Sequence, residues 1–354
     1  MSTKKSSSKQ ILKTIGYIFG LVLILIGICL KIPEIISRYS RESFTAGNAK
    51  FVCTVSELPG SCSALYIRPF SAKEISKNHA EYWEENSFCL LTDHSLTLEE
   101  LEHISDIETE KLVFQGISPE SLDPLSRMNA LKLLWLDTDS DVRAEFDGNF
   151  PSLEKLYIYD HMDSTGNISS ITTLRELELY CGEDLTKLTD FERLTSLEWL
   201  DIRGTKVSDI SCLSGCTKMR ELYIGTDVCD ISPLKNMTDL EVFNASRNYN
   251  RQKENLLSDI SALADKPKLR EVDLYGTDVT DISPLSGNTS LEKAELSYTP
   301  IKSAAPLMTL PKLYDVGMYH CDNISDSERE EFFAWYRSLD HDVYYCKSKL
   351  SQSE

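Results

Sequence analysis

Aromatic and acidic side chains recur at fixed places within a series of short apolar segments, and they suit the chemistry of binding. Tyr and Trp combine a large contact area with a polar tip, and carboxylates attract cationic groups. These residues alternate with apolar ones, so we predict that they share an exposed face. Because Tyr and Trp also favour strands and pack on their neighbours, a purely structural role stays open. The candidates are Trp135, Tyr157, Tyr159, Glu178, Tyr180, Trp199, Asp201, Glu221, Tyr223 and Tyr275.

Catalytic chemistry is not indicated. The sequence contains no G-x-S-x-G, H-E-x-x-H, phosphate-binding glycine loop or Cys-x-x-Cys. Its six histidines are scattered, and we interpret His161 and His320 as solvated loop residues near the edge of the exposed face. Cys212 and Cys216 fall on repeat positions that hold Pro and Met in the next unit, which favours core packing over a metal pair. We expect no enzyme activity, no metal and no cofactor.

The elements that position these residues are repeats of the form L-x-x-L-x-L. Most lie 21 to 23 residues apart, with one interval of 29, and a weaker copy containing Leu112 and Phe114 comes one period earlier. This period is the signature of a leucine-rich repeat solenoid, whose turns bury their leucines against one another. The alternation within L-x-L predicts strands, centred near 113, 135, 157, 178, 201, 223, 244, 273, 295 and 317. The repeats start at Leu131, Leu153, Leu174, Leu197, Met219, Leu240, Leu269, Leu291 and Leu313.

The second half of the repeat unit indicates which class of leucine-rich repeat this is. Asp-Ile-Ser-x-Leu begins at Asp209, Asp230, Asp259 and Asp281, with Pro in the variable slot at 233 and 284. Proline suits a tight return path outside the sheet. Over roughly residues 107–325, the full unit resembles the 22-residue repeats of bacterial internalin-like surface proteins. The resemblance implies an α/β-type solenoid, a leucine-rich repeat horseshoe with a parallel concave sheet and the returns on the convex face.

Two departures from that family matter. The family commonly has Asn after the strand, but Thr205, Thr277 and Thr299 take that slot here, with Asn248 in one unit. Thr hydroxyls can still bond the backbone. The sequence also has no wall-sorting motif of the L-P-x-T-G kind, which argues against covalent wall attachment.

The long interval places an insertion at residues 249–256. We expect this loop to leave the rim of the concave face, where Arg251 and Lys253 would extend the binding surface, although a merely tolerated loop is an equal alternative.

Both ends of the solenoid need covering. Residues 43–106 lack the clear repeat and are interpreted as an N-terminal cap, including a short helix that begins with the capping box at Thr97. Residues 326–346 are interpreted as a C-terminal cap, in which Asp326 or Ser327 starts a helix near Glu328 and residues 342–346 form a strand. A flexible tail, 347–354, follows.

The N-terminus predicts a membrane anchor. Residues 14–30 carry no charge and would span roughly 25 Å as a helix, slightly short of a typical hydrocarbon core. With the exit, the predicted anchor is residues 14–36, and Ile32 and snorkelling of Lys13 and Lys31 would supply the remaining length. A cleaved signal peptide is the alternative, but no small-x-small site follows the apolar run. Basic residues in the tail, 1–13, slightly outnumber those after the span, which places the N-terminus in the cytoplasm and the repeats outside.

The net charge of the chain constrains the chemistry of its partners, and the cysteine positions give candidate disulfides. Residues 1–42 hold seven Lys or Arg and two Glu, a net +5 within a chain at −19, so the remainder stands at −24. That charge argues against nucleic acid and favours a basic partner, or simply solubility. Candidate disulfides are Cys53–Cys62 and Cys321–Cys346.

These features together predict a cell-membrane protein, single-pass, that binds a protein or surface ligand through its concave face. Three alternatives stay open: an envelope spacer without a dedicated ligand, an intracellular regulatory repeat protein, and an enzyme whose chemistry lies in residues 43–96.

Overall fold

A computed structural model gives the strands at 42–46, 49–53, 66–69 and 87–91. It further describes residues 98, 101, 102, 105, 110–115, 121–137, 150–159, 161–225, 227–246 and 257–339. Predictions on residues 1–36, Asn248, the insertion at 249–256 with Arg251 and Lys253, and residues 342–354 therefore lie outside the described residues. Within the described part of the chain, no helix is long and apolar enough to cross a membrane.

The chain divides into two compact units, the first ending at Leu153. Strands β1 (Glu42–Ala46) and β2 (Ala49–Cys53) form an antiparallel hairpin. Strand β3 (Tyr66–Pro69) pairs antiparallel with β4 (Ser87–Leu91), and β4 pairs parallel with β5 (Lys111–Gln115). β5 pairs parallel with β6 (Leu133–Asp137). The segment predicted to be a cap thus contributes β4 as a parallel strand beside the first weak repeat, which the leucine pattern did not predict.

The second unit, from Glu154 on, is a parallel sheet in which each strand pairs with the next one along the chain. All ten predicted strand centres, counting β5 and β6, fall on observed strands. The strands of this unit are β7 (Lys155–Tyr159), β8 (Glu176–Leu179), β9 (Trp199–Asp201), β10 (Glu221–Tyr223), β11 (Val242–Asn244), β12 (Glu271–Asp273), β13 (Lys293–Glu295) and β14 (Asp315–Gly317).

A ladder of apolar side chains on one face of this sheet forms the core. Register places Leu156, Leu177, Leu200 and Leu222 on neighbouring strands, and each is fully buried. Burying a leucine contributes roughly 1.5–3 kcal/mol, and each one here covers its neighbours in the adjoining turns. The ladder continues with Phe243, Val272, Ala294 and Val316.

The return segments contain 3-10 helices, which explains the Asp-Ile-Ser motif. In each, the Asp carboxylate accepts a 2.8 Å hydrogen bond from the Ser backbone N two residues later, at Asp209, Asp230, Asp259 and Asp281. The helices that follow begin at these serines: Ser211–Gly215, Ser232–Asn236, Ser261–Leu263 and Ser283–Gly287. The described residues include four further 3-10 helices, Asp123–Arg127, Ile168–Ser170, Phe191–Arg193 and Ala305–Thr309.

Threonine in the slot after the strand bonds the backbone, as predicted, but within its own turn. The hydroxyls of Thr205 and Thr277 donate to carbonyls three residues earlier at 2.8 Å, and that of Thr299 does so at 2.5 Å. All three side chains are buried.

The predicted C-terminal helix is present as α1 (Asp326–Ser338), with a corrected start. Its N-cap is Ser325, whose Oγ accepts from Glu328 N at 3.3 Å, because Ser325 is the last residue with an extended backbone. The Glu328 carboxylate accepts from Ser303 Oγ and Ala304 N at 2.5 and 3.0 Å, and the Tyr336 hydroxyl donates to Tyr314 O. These bonds attach α1 to the final repeat.

In the segment predicted to be the N-terminal cap, Leu98 and Leu101 are helical as predicted. Leu98, however, is 46% exposed, whereas Leu101 is buried.

Candidate partner-binding face

The face of the second unit opposite the leucine ladder carries the predicted binding residues. Side chains alternate along a strand, so residues between the apolar positions share this face, here called the strand face. Its middle row contains Tyr157, Glu178, Asp201 and Tyr223 on neighbouring strands, and Glu176, Trp199 and Glu221 form the row before it. A third row lies two residues beyond the middle row in each turn and contains Tyr159, Tyr180, Arg203, Tyr275 and Tyr319.

Tyr157 is not an exposed anchor, which corrects the prediction. Its side chain is 1% exposed, its hydroxyl donates to Glu176 Oε2 at 2.6 Å, and its ring meets the Trp199 ring edge-on at 6.3 Å between centroids. The large neighbouring rings and acids cover it. Tyr157 therefore supports the strand face from beneath.

Asp201 is likewise buried, at 5% exposure, and holds Arg203 instead of offering a free carboxylate. Arg203 Nε lies 3.0–3.1 Å from both Asp201 oxygens, and its Nη2 lies 2.5 Å from Oδ2. The guanidinium also lies 4.7 Å above the centre of the Tyr223 ring, a cation–π contact. The Asp201–Arg203 ion pair therefore holds the Tyr223 ring in place, and the Asp201 carboxylate is already bound within the protein.

Trp199 and Tyr223 are half-buried and in mutual contact, with ring centroids 5.7 Å apart. The Tyr223 hydroxyl donates to Glu221 at 3.0 Å, and Lys155 pairs with Glu176 at 2.8 Å. These acids and rings therefore hold one another in place. A surface whose rotamers are already fixed loses less conformational entropy when a partner binds.

Tyr180 is the most exposed aromatic on this face, at 60% exposure, and it is nevertheless well positioned. Its ring stacks on Tyr159 at 5.9 Å. On its other side lies Gly204, where any added Cβ would come 2.2 Å from the Tyr180 ring. Glycine at 204 is thus what lets the ring lie flat against the next turn. An exposed aromatic held between two neighbours has the character of a binding anchor.

Glu178 lies on the strand face, and its carboxyl titrates near neutral pH. Burial raises the pKa of its carboxyl to about 7, an effect opposed by the 2.5 Å hydrogen bond from Tyr159 and reinforced by the charge on Asp201. Near pH 7 this site therefore exchanges a proton readily.

We expect the stability of the protein to depend on pH through Glu178. The pKa of the Glu178 carboxyl in the folded protein lies above its unfolded value of 4.5. The stability that protonated Glu178 contributes is therefore fully present below pH 4.5 and is lost as the pH rises through about 7. Relative to Glu178→Gln, the wild-type free energy of unfolding should fall by roughly 1–3 kcal/mol between pH 4.5 and 8. Urea denaturation of both proteins across this range measures the difference. A constant difference would show that the carboxyl titrates as it does in solvent.

The other predicted site residues lie elsewhere. Trp135 is half-buried on β6, in the first unit, and Tyr275 lies in the C-terminal turns of the second. Tyr275 joins a cluster with Tyr298, Tyr319 and His320, which were not predicted as a group. The signal for it was present, because Tyr298 and His320 each follow Gly276 by whole 22-residue periods.

Among the cysteines whose side chains the structure describes, Cys181, Cys216 and Cys321 are buried, whereas Cys212 and Cys229 are half-buried. Cys216 is fully buried, as predicted, and burial raises the pKa of its thiol to about 12 and that of Cys212 to about 11. Cys321 is a free, buried cysteine whose Sγ lies 3.1 Å from Leu296 O. Its predicted disulfide partner Cys346 lies outside the described residues, as does the side chain of Cys53, so both disulfides stay predictions. Among the described residues, no group of three or more His, Cys, Asp or Glu is arranged to hold a metal ion.

Solved structures similar to this chain include bacterial repeat proteins. An internalin, InlF, from Listeria monocytogenes aligns with a TM-score of 0.51 at 19% identity, covering 71% of this chain and 78% of its own. The chain has the leucine-rich repeat fold. Internalin C2 of the same species aligns with a TM-score of 0.40 at 21% identity over 49% of this chain and 79% of its own. A leucine-rich repeat protein of Leptospira interrogans aligns with a TM-score of 0.35 at 14% identity, and the alignment covers 70% of this chain and 89% of the Leptospira chain. No protein-family model and no curated protein sequence matches the chain.

Proposed function

We propose that this leucine-rich repeat protein binds a protein or surface ligand through its strand face and is held at the cell membrane by its N-terminal segment. The observation that carries the binding proposal is the exposed Tyr180 ring, stacked on Tyr159 and seated against Gly204. Trp199 and Tyr223 continue the aromatic surface on the next two turns. Aromatic anchors of this kind dominate the free energy of many interfaces.

The partner's chemistry follows from the charge of this surface. Glu176, Glu178 and Glu221 lie among the rings, and the chain beyond residue 42 has a large negative net charge. A partner with Lys or Arg at its interface would be attracted and oriented by these carboxylates, whereas nucleic acid would be repelled. Binding, and not catalysis, is the activity that this arrangement supports.

Affinity capture from native cell-envelope extract tests the binding proposal. We expect the full-length chain, solubilised in mild detergent, to retain a partner that Tyr180→Ala fails to retain. Tyr314→Ala is the matched control, because Tyr314 is also a half-exposed tyrosine, at 44% exposure, but lies just before β14. Equal recovery of all captured proteins by Tyr180→Ala and wild type would favour the spacer function instead.

The membrane proposal rests on the uncharged residues 14–30 and the basic tail before them. We expect the full chain to stay with membranes after high-salt and carbonate washing, and a chain lacking residues 1–36 to be released. Protease added to intact cells should degrade the repeats if they face outward. A mature N-terminus that begins after residue 30 would identify the segment as a cleaved signal peptide.

A further inference from the structure

A second aromatic cluster lies in the C-terminal turns of the second unit, away from Trp199 and Tyr180. The ring of Tyr298 has its centroid 5.3 Å from that of Tyr275, 5.4 Å from Tyr319 and 4.8 Å from His320. Tyr298 is 37% exposed, and the His320 side chain is 47% exposed. We name these four residues the Tyr298 cluster.

Two members of the Tyr298 cluster occupy a backbone position that favours glycine. Gly276, Tyr298 and His320 hold the same slot in three successive turns, with φ of 69°, 60° and 56°. Left-handed backbone is unfavourable for a bulky side chain, and glycine in the first of these turns avoids that cost. Folding alone would therefore be served by glycine in all three turns, and the two rings suggest a role other than stability.

Carboxylates of the strand face lie directly beside the cluster. Tyr275 N donates to Asp273 Oδ1 at 3.0 Å, and Ser297 N, next to Tyr298, donates to Glu295 Oε1 at 2.9 Å. Asp273 and Glu295 are paired in register on β12 and β13. The pKa of Asp273 is raised, first by burial and further by the neighbouring charges of Glu295 and Glu271, although two hydrogen bonds oppose the rise. Lys293, 3.4 Å from Glu271, only partly offsets this negative charge.

The N-terminal half of the same face shows how a guanidinium binds there. Arg203, in the row after the strands, lies against the carboxylate of Asp201 and over the Tyr223 ring. In the C-terminal turns the middle row again presents carboxylates, Asp273 and Glu295. The row after them, however, holds Tyr275, Ser297 and Tyr319 where the earlier turn has Arg203. The rings and acids recur, but the arginine of the earlier turn is replaced by residues without a cation.

We propose that the Tyr298 cluster, with Asp273 and Glu295, is a second docking surface, specific for an arginine side chain presented by a protein partner. The carboxylates would bind the guanidinium by charge-assisted hydrogen bonds, and a tyrosine face would stack on its plane. This surface is separate from the one around Tyr180, so either can fail without the other.

The test uses the full chain and a fluorescein-labelled heptapeptide of alternating glycine and arginine. A peptide with citrulline in place of arginine is the matched neutral probe, and fluorescence anisotropy at about 0.15 M salt screens unspecific attraction to the acidic chain. We expect saturable binding of the arginine peptide and at least tenfold weaker binding of the citrulline peptide.

Tyr298→Gly is the decisive variant, because it keeps the net charge and installs the residue that the preceding turn already uses. We expect it to weaken binding of the arginine peptide roughly tenfold or more while the melting temperature stays within a few degrees of wild type. Asp273→Asn should also weaken binding. Affinity within twofold of wild type for Tyr298→Gly, equal binding of the citrulline peptide, or no binding of the arginine peptide to wild type would each overturn the proposal.

Discussion

Tyr157→Ala is expected to lower the free energy of unfolding by roughly 3–5 kcal/mol, the typical cost of removing a buried aromatic ring. The reason is that Tyr157 is 1% exposed, although it lies on the strand face and not in the leucine ladder. Removing the ring leaves a cavity beneath Trp199 and removes the hydrogen-bond donor of Glu176. Chemical denaturation monitored by circular dichroism measures the change.

Tyr157→Phe separates the ring from the hydroxyl. It keeps the ring and removes the hydroxyl with its 2.6 Å bond to Glu176, so we expect a loss of about 1 kcal/mol. Losses of similar size for the two variants would show that the hydrogen bond, not the packed ring, is the main contribution. An unchanged stability in Tyr157→Ala would contradict the burial of this residue altogether.

Tyr180→Ala is expected to weaken partner binding by about thirtyfold or more without unfolding the protein. Truncating a central anchor typically costs 2 kcal/mol or more, which corresponds to that factor in Kd. Because Tyr180 is 60% exposed and lies on the surface between Tyr159 and Gly204, its removal should leave the melting temperature nearly unchanged. Surface plasmon resonance with a captured partner gives the affinity.

Gly204→Ala and Tyr314→Ala complete this comparison. A methyl group at 204 would come 2.2 Å from the Tyr180 ring and 2.9 Å from the Tyr180 Cα, so it would displace both, and we expect binding to fall even though no ring is lost. Tyr314→Ala removes an exposed tyrosine elsewhere and should bind as wild type does. Retention of wild-type affinity by both Tyr180→Ala and Gly204→Ala would show that this ring is not an anchor.

The leucine period predicted the sheet because each repeat must place its apolar residues on the same inward ladder. Leu156, Leu177, Leu200 and Leu222 are consequently in register, and every predicted strand centre falls on a strand. The Asp-Ile-Ser segments were predicted as return paths, and the four Asp-to-backbone bonds show why Asp recurs there.

The leucine period does not predict which residues of the strand face are covered. Alternation assigns Tyr157 and Asp201 to that face, but it carries no information on the size and direction of side chains in neighbouring strands. Trp199 covers Tyr157, and Arg203 folds back onto Asp201, so both become buried. Such contacts decide exposure, both within a turn and between turns: Arg203 lies two residues after Asp201 in the same turn, whereas Trp199 lies two turns after Tyr157.

The repeat pattern also does not predict the backbone conformation of individual residues. The choice of Ser325 over Asp326 as N-cap depends on which residue has an extended backbone. The left-handed conformation of Tyr298 and His320 could have been inferred only by aligning them with Gly276 and giving weight to the glycine. Strand β4 lacks the leucine spacing, and its pairing with β5 replaces the contact that a preceding repeat would make.

Site-specific photocrosslinking in intact cells tests the central claim, binding through the strand face, most directly. Benzoylphenylalanine placed at position 180 would lie on the strand face, and at position 214 it would lie on the exposed 3-10 helix Ser211–Gly215 of the return path. We predict a light-dependent adduct with a second protein from position 180 and none from position 214. An adduct from position 214 alone, or none from position 180, would contradict binding through this face.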